Sequence, residues 1–303
     1  RLGQDWADGP TSLRQSYEWD PARIVPGLTE AHILGVEAPL WTETIVTVAD
    51  IEEMVFPRLA AVAEIAWSPA PADTDAVKRF IDAIVLLKVN HLHLHLTDDQ
   101  GWRIHINSWP NLTAHGGSTG SDGSAGGFYT QDEFRDLVAY AAERHVTIVP
   151  ELDMPGHTNA ALASYPELNA DGVAPALYTG AKVGFSTLLT GDETTARFVD
   201  DVVREVAAIT PGPYLHIGGD ECQSTDPADF LRFIADASAT VARHGKIPAG
   251  WHEMGKSDQL PEGTVGQYWD FLTPRGTAAD ETLSFVRQGG SVILSPADVA
   301  YLD

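Results

Sequence analysis

The chain has almost no cysteine: Cys222 stands alone in 303 residues, so no internal disulfide can form, and the redox compartment is left open. Basic residues are scarce as well. Nineteen lysines and arginines face 43 aspartates and glutamates, and the resulting net charge of −24 argues against nucleic acid or an anionic membrane as partner. A neutral or cationic ligand fits better. No apolar run reaches the length needed to span a bilayer, and the N-terminus lacks the basic-then-apolar build of a signal peptide. What the chain does have is tryptophan. Several of the eight sit beside Gly, Pro or carboxylates, where an indole serves better as a sugar platform than as core filling.

This length suffices for one large α/β domain or two ordinary ones. Strands are predicted at 33–41, 89–96, 146–153, 214–217, 247–253, 265–270 and 291–295. Helices are predicted at 48–66, divided or kinked by Pro57, and at 74–87, 131–145, 194–209, 228–244 and 278–287. Nearly every strand ends in Trp, Tyr, His, Asp or Glu. Right-handed parallel connections would put all those ends on one face, as in a TIM-type (β/α)8-like barrel. Seven strands are recognisable.

The stretch 213–222, Pro-Tyr-Leu-His-Ile-Gly-Gly-Asp-Glu-Cys, carries the most chemistry. Its glycines end a buried strand where bulky side chains would block a close approach, and Asp220 and Glu221 then point different ways, one carboxylate for each of two places on a ligand. A solvated strand-to-loop junction is the plainer reading. Residues 89–96 alternate His91, His93 and His95 with three leucines and run into Asp98, which reads either as metal ligands or as a polar layer inside a barrel. After the strand at 146–153, His157 stands in a turn close to Glu151 and Asp153, a partner for a titrating acid. Gly116 to Gly127, rich in Gly and Ser, reads as a flexible surface loop, and Asn111-Leu112-Thr113 is a glycosylation sequon by spelling alone.

Five blocks carry a family resemblance: Trp-Thr-Glu (41–43), His-Leu-His-Leu-Thr-Asp-Asp-Gln-Gly-Trp-Arg (93–103), Pro-Glu-Leu-Asp-Met-Pro-Gly-His (150–157), His-Ile-Gly-Gly-Asp-Glu (216–221) and Gly-Trp-His-Glu (250–253). Together they resemble family 20 glycoside hydrolases, the β-N-acetylhexosaminidases, over almost the whole chain. The order differs from the family's. Residues 1–69 resemble its C-terminal end placed ahead of its beginning and 74–303 the preceding part of the barrel, so that 1–303 reads as one circularly permuted catalytic domain. The family's first barrel strand, which ends in a sugar-binding arginine, has no counterpart in the connection from Pro69 to Asp73. Residues 8–31 or a neighbouring chain are the candidates to fill that position, the latter giving an oligomer.

The resemblance implies exo-hydrolysis of terminal β-linked N-acetylglucosamine or N-acetylgalactosamine from an oligosaccharide or glycoconjugate, without cofactor or metal. It implies a retaining mechanism in which the sugar's own acetamide attacks the anomeric carbon. Glu221 would be the general acid and base, Asp220 the group that orients the acetamide, and Tyr301 the donor to its carbonyl. Trp251, Trp269 and Trp41 would wall the pocket, Glu43 and Asp303 would bind sugar hydroxyls, Trp6 would stand at the rim, and Asp98 and His157 would tune Glu221. A secreted or extracellular bacterial-type enzyme is the matching expectation. Two other readings stay open: a metal-dependent hydrolase built on His91, His93, His95 and Asp98, and a non-catalytic carbohydrate-binding barrel.

Overall fold

Alternating strand and helix build a curled, all-parallel sheet of the TIM-barrel kind. The computed structural model describes residues 19, 21–39, 74–86, 88–121 and 123–301. Trp6, Trp41, Glu43 and Asp303, and the helix expected at 48–66, lie outside the described residues. The strands among the described residues are β1 (Ile33–Val36), β2 (His91–His95), β3 (Thr97–Asp98), β4 (Gly101–Trp102), β5 (Thr147–Glu151), β6 (Tyr214–His216), β7 (Ile247–Trp251), β8 (Val265–Tyr268) and β9 (Ser291–Leu294). Seven of them pair side by side in the order β1-β9-β8-β7-β6-β5-β2, while β3 and β4 form a small antiparallel hairpin just past β2. The first strand in sequence therefore lies beyond the last, parallel to it.

The helices follow from apolar spacing and caps. In Glu193–Ile209 the buried Phe198, Val199, Val202, Val203, Val206 and Ile209 recur at helical intervals on one face, and Asp192 caps the start by accepting from the Thr194 N–H at 2.7 Å. Thr130 and Glu133 form a reciprocal capping box at the start of Gln131–Ala142, and Asp226 precedes Pro at the first position of Pro227–Arg243. Each of these three helices returns the chain to the bottom of the next strand, which leaves the strand tips to the loops.

Two features of the sheet prepare the site. Pairing of β2, β5 and β6 sets His95 level with Glu151 and Glu151 level with His216, so ionisable residues from three strands share one layer inside the sheet's curl. The outer members of the strand order also approach each other: Glu37, just past β1, places Oε1 3.1 Å from Nδ1 of His93 on β2.

The segment from Gly116 to Gly127 differs from its expected loose loop. Arg103 anchors it, its guanidinium donating to the carbonyls of Gly117, Thr119 and Gly127 at 2.8–3.2 Å and to that of Gln100 at 3.0 Å. Glycine is needed where the chain passes this close to itself. A Cβ on Gly126 would stand 2.3 Å from the Gly117 carbonyl oxygen.

Candidate active site

The chain leaves β6 through Gly218 and Gly219, both at positive φ (67° and 91°). A Cβ on Gly218 would fall 1.7 Å from Oδ1 of Asp153, the same oxygen that accepts the Gly219 N–H at 3.1 Å. Only glycine lets β6 end against that carboxylate. Glu221 follows in the left-handed region at φ 46°, and so does His157 at φ 53°, a backbone strain of the kind that fixed functional geometry sustains.

The two residues meet. His157 is buried with Nε2 3.6 Å from Oδ2 of Asp220 and 3.7 Å from Oε2 of Glu221. Its Nδ1 lies 3.1 Å from Oδ1 of Asp98, whose other oxygen is 2.9 Å from Nε2 of His95. His95 continues the chain of contacts to Glu151, 2.8 Å from Nδ1 to Oε2. Glu151 is fully buried and shared among three imidazoles: His93 Nε2 is also 2.8 Å from Oε2, and His216 Nδ1 is 2.9 Å from Oε1. The line runs from the barrel interior to the catalytic candidates.

Burial and neighbours divide these groups. Glu221 is pushed up to about 7 by burial and by the adjacent Asp220 charge, against which His157 pulls. Burial likewise lifts Asp220, to about 6, with His157 opposing and Glu253 and Glu151 adding to the rise. Burial alone would lift Asp98 too, yet His157 and His95 hold it well below the usual carboxylate range. For His157 burial works downward, and Asp220, Asp98 and Asp153 overcome it and keep the ring cationic. The pair thus holds one carboxyl that keeps a proton near neutrality beside one that gives it up more readily, the division needed for acid–base work.

The catalytic domain of glycosyl hydrolase family 20 matches residues 3–70, 71–229 and 225–303. The chain belongs to glycosyl hydrolase family 20. It is similar to the beta-N-acetylhexosaminidase of Cellulomonas fimi, 42% identical over 229 residues that span 76% of this chain and 45% of that protein. The beta-hexosaminidase of Porphyromonas gingivalis is 38% identical over 75% of this chain and 31% of its own length. Among solved structures, the beta-N-acetylhexosaminidase of Streptomyces coelicolor superposes with a TM-score of 0.72 at 53% identity, over 75% of this chain and 46% of that one. The Streptomyces plicatus enzyme, in complex with Thio-NAglucal, gives 0.72 at 54%, over 75% and 45%. The chain spans less than half the length of each of these four relatives.

Within this family 20 chain the expected site residues fall into three groups. Asp220, Glu221, His157 and Asp98 are gathered around one imidazole, His157 hydrogen-bonded to Asp98 and within 3.7 Å of both carboxylates of the pair. The aromatic candidates Trp251, Trp269 and Tyr301 lie at or beyond the tips of β7, β8 and β9. Trp251 is buried, its indole N–H donating to Oε1 of Glu151 at 2.9 Å and its ring set edge-on to His216 with centroids 5.1 Å apart. Trp269 donates to both oxygens of Glu253, at 3.2 and 3.1 Å. Tyr301 is buried, and the loop that leads to it from β9 bonds to the β8 tip, the Ala297 N–H donating to the Trp269 carbonyl at 3.2 Å. Trp41, Glu43, Asp303 and Trp6 form the third group, outside the described residues.

The strand of alternating histidines is divided by the fold. His93 and His95 converge on Glu151, whereas His91 Nδ1 contacts Asn90 Oδ1 at 2.9 Å. Among the described residues, four sets of side chains have ligand atoms within 4.8 Å of one another, and none includes His91. The metal reading built on all three histidines therefore lacks one of its ligands.

Glu253 is the residue that sequence reasoning passed over. Burial pushes it up to about 7, opposed by the Trp269 N–H and by Lys256. It ends the Gly-Trp-His-Glu block just past β7, so the rule that strand tips carry the chemistry already pointed to it.

Proposed function

We propose that this chain is the catalytic barrel of an exo-acting β-N-acetylhexosaminidase that removes terminal β-linked N-acetylglucosamine or N-acetylgalactosamine with retention, through an oxazolinium intermediate. The observation that carries the reading is the adjacent pair: Asp220 and Glu221 share His157 within 3.7 Å, and the second keeps its proton to about pH 7.

Glu221 protonates the glycosidic oxygen as the bond breaks, then takes a proton from the water that opens the intermediate. Asp220 accepts from the acetamide N–H, turning the carbonyl oxygen toward the anomeric carbon and stabilising the positive charge that develops on the ring nitrogen. One buried oxygen of Asp220, Oδ1, has no hydrogen-bond partner within the protein, which suits an acceptor kept for substrate. Tyr301 donates to the acetamide carbonyl, and Trp251 and Trp269, with Trp41, enclose its methyl group. Glu43, Asp303 and Trp6 complete the sugar's contacts in the family pattern.

The domain arrangement is part of the same proposal. Residues 1–69 supply the closing end of the family barrel and 74–303 the preceding part, a permuted order supported by the parallel pairing of β1 with the last strand, β9. Hydrolysis of an aryl N-acetyl-β-glucosaminide tests the assignment. Glu221→Gln is expected to abolish most turnover while calorimetry still records binding of a thiazoline that mimics the oxazolinium; normal turnover in that variant would refute the role.

A further inference from the structure

A general acid at Glu221 gives its proton to the oxygen that departs with the leaving group, so the leaving group passes the side of the site next to Glu221. The loop 178–186 lies there. A Cβ on Gly184 would stand 3.1 Å from the Glu221 carbonyl oxygen, and the Ser224 hydroxyl donates to the Gly184 carbonyl at 2.7 Å. The loop is also tied to the β3–β4 hairpin. Gln100 Nε2 donates to the Gly180 carbonyl at 2.9 Å, and the Ser186 hydroxyl to Oδ1 of Asp99 at 2.5 Å.

Between these anchors the chain alternates, with Gly184 and Ser186 buried and Val183 and Phe185 each 42% exposed. The Phe185 ring leans on Tyr178 with centroids 4.6 Å apart and planes at 58°. Nothing in core packing requires an anchored loop to hold a phenylalanine and a valine out to water, and such an apolar patch on a loop packed against Glu221 marks a place for ligand. The apolar C–H face of a pyranose is the surface that fits an aromatic edge and face of this kind.

We propose that Phe185, Tyr178 and Val183 form the platform for the sugar on the leaving-group side, so that the enzyme prefers β-linked oligosaccharides to glycosides with a small leaving group. This rests on the hexosaminidase reading above. The test compares kcat/KM for N,N'-diacetylchitobiose with that for methyl N-acetyl-β-glucosaminide, whose departing alcohol offers nothing to stack. In Phe185→Ala the preference for the disaccharide is expected to fall about tenfold, the worth of one good stacking contact, and Phe185→Trp is expected to restore it. A preference that stays the same in Phe185→Ala, with both substrates slowed together or neither slowed, overturns the platform while leaving the hexosaminidase reading intact. A wild-type protein that cleaves neither substrate overturns that reading and the platform with it.

Discussion

Two clusters in this molecule use the same side chains to opposite ends. Inside the curl of the sheet, Glu151 sits among His93, His95 and His216; burial would raise its pKa, yet the three imidazoles hold it well below the ordinary value. His93, for which burial works downward, is carried up to about 10 by Glu37 and Glu151. At the strand tips the proportions reverse. One imidazole, His157, is the main opposing charge for Asp220, Glu221 and Asp153, with His95 a lesser one for Asp220 and Asp153, and all three carboxyls rise because burial and repulsion among carboxylates outweigh them. The count of imidazoles per carboxylate decides whether a buried acid is a fixed anion or a proton carrier. Asp98, between His95 and His157, belongs electrically to the inner cluster and joins the two.

The comparison breaks most visibly at Glu221. Glu221→Gln is expected to reduce turnover of an aryl glycoside by about 10²–10⁴-fold, the usual worth of a positioned general acid. The same variant should gain stability. A carboxyl raised from 4.5 to about 7 in the folded state contributes its stability below about pH 4.5 and loses it as pH rises through about 7, so at pH 8 its removal is expected to stabilise the fold by about 1–3 kcal/mol. Urea unfolding of both proteins at pH 8 reads the sign. Glu151→Gln should behave in the opposite way: it strands cationic imidazoles that are buried and tightly packed, at a cost of about 3–5 kcal/mol. A Glu151→Gln protein with an unchanged urea midpoint would mean that the inner layer is not ionised.

The wild-type pH profile sharpens the distinction. In the proposed mechanism Glu221 acts as the acid only when protonated, so kcat/KM is expected to fall as pH rises through about 7. In the same proposal Asp220 holds the acetamide only when ionised, so activity is expected to fall again as pH drops through about 6. A narrow bell results, whose two apparent values belong to the interacting pair. His157→Asn removes the one opposing charge and should move the alkaline limb upward by about one pH unit. A limb that stays in place would remove His157 from the tuning of Glu221.

Much of this was legible before any coordinates. Strand and helix periodicity placed seven strands, and the Gly-Gly before Asp220 announced a close approach, which turned out to be to Asp153. The inner cluster was half visible. Alternation put His93 and His95 on one strand face, but the meeting of both with Glu151 and His216 depends on register between strands more than 50 residues apart. Glu37 was hidden for the same reason, since its contact with His93 joins strands at opposite ends of the sheet order. The Arg103 anchor was missed because glycine and serine content reports backbone freedom and is silent about which side chain restrains it.

Glu253 offers the finest test of the same contrast. Its carboxylate holds the Trp269 indole and is, after His157, the strongest charge acting on Asp220, ahead of Glu151 and His95. Glu253→Gln keeps an oxygen for the indole N–H and removes the like charge, so Asp220 should ionise more easily and the acidic limb of kcat/KM should move to lower pH. The shift must be small. Glu253 itself rises to about 7, with burial first among its causes and Glu281 adding to it, so most of it is already neutral where Asp220 titrates near 6. A few tenths of a pH unit is the expected displacement, with KM close to wild type, whereas Glu253→Ala should also raise KM as the indole loses its acceptor. An acidic limb that moves upward in Glu253→Gln would mean that Glu253 reaches Asp220 as a proton donor, and the strand tips would then hold a shared proton in place of a set of competing charges.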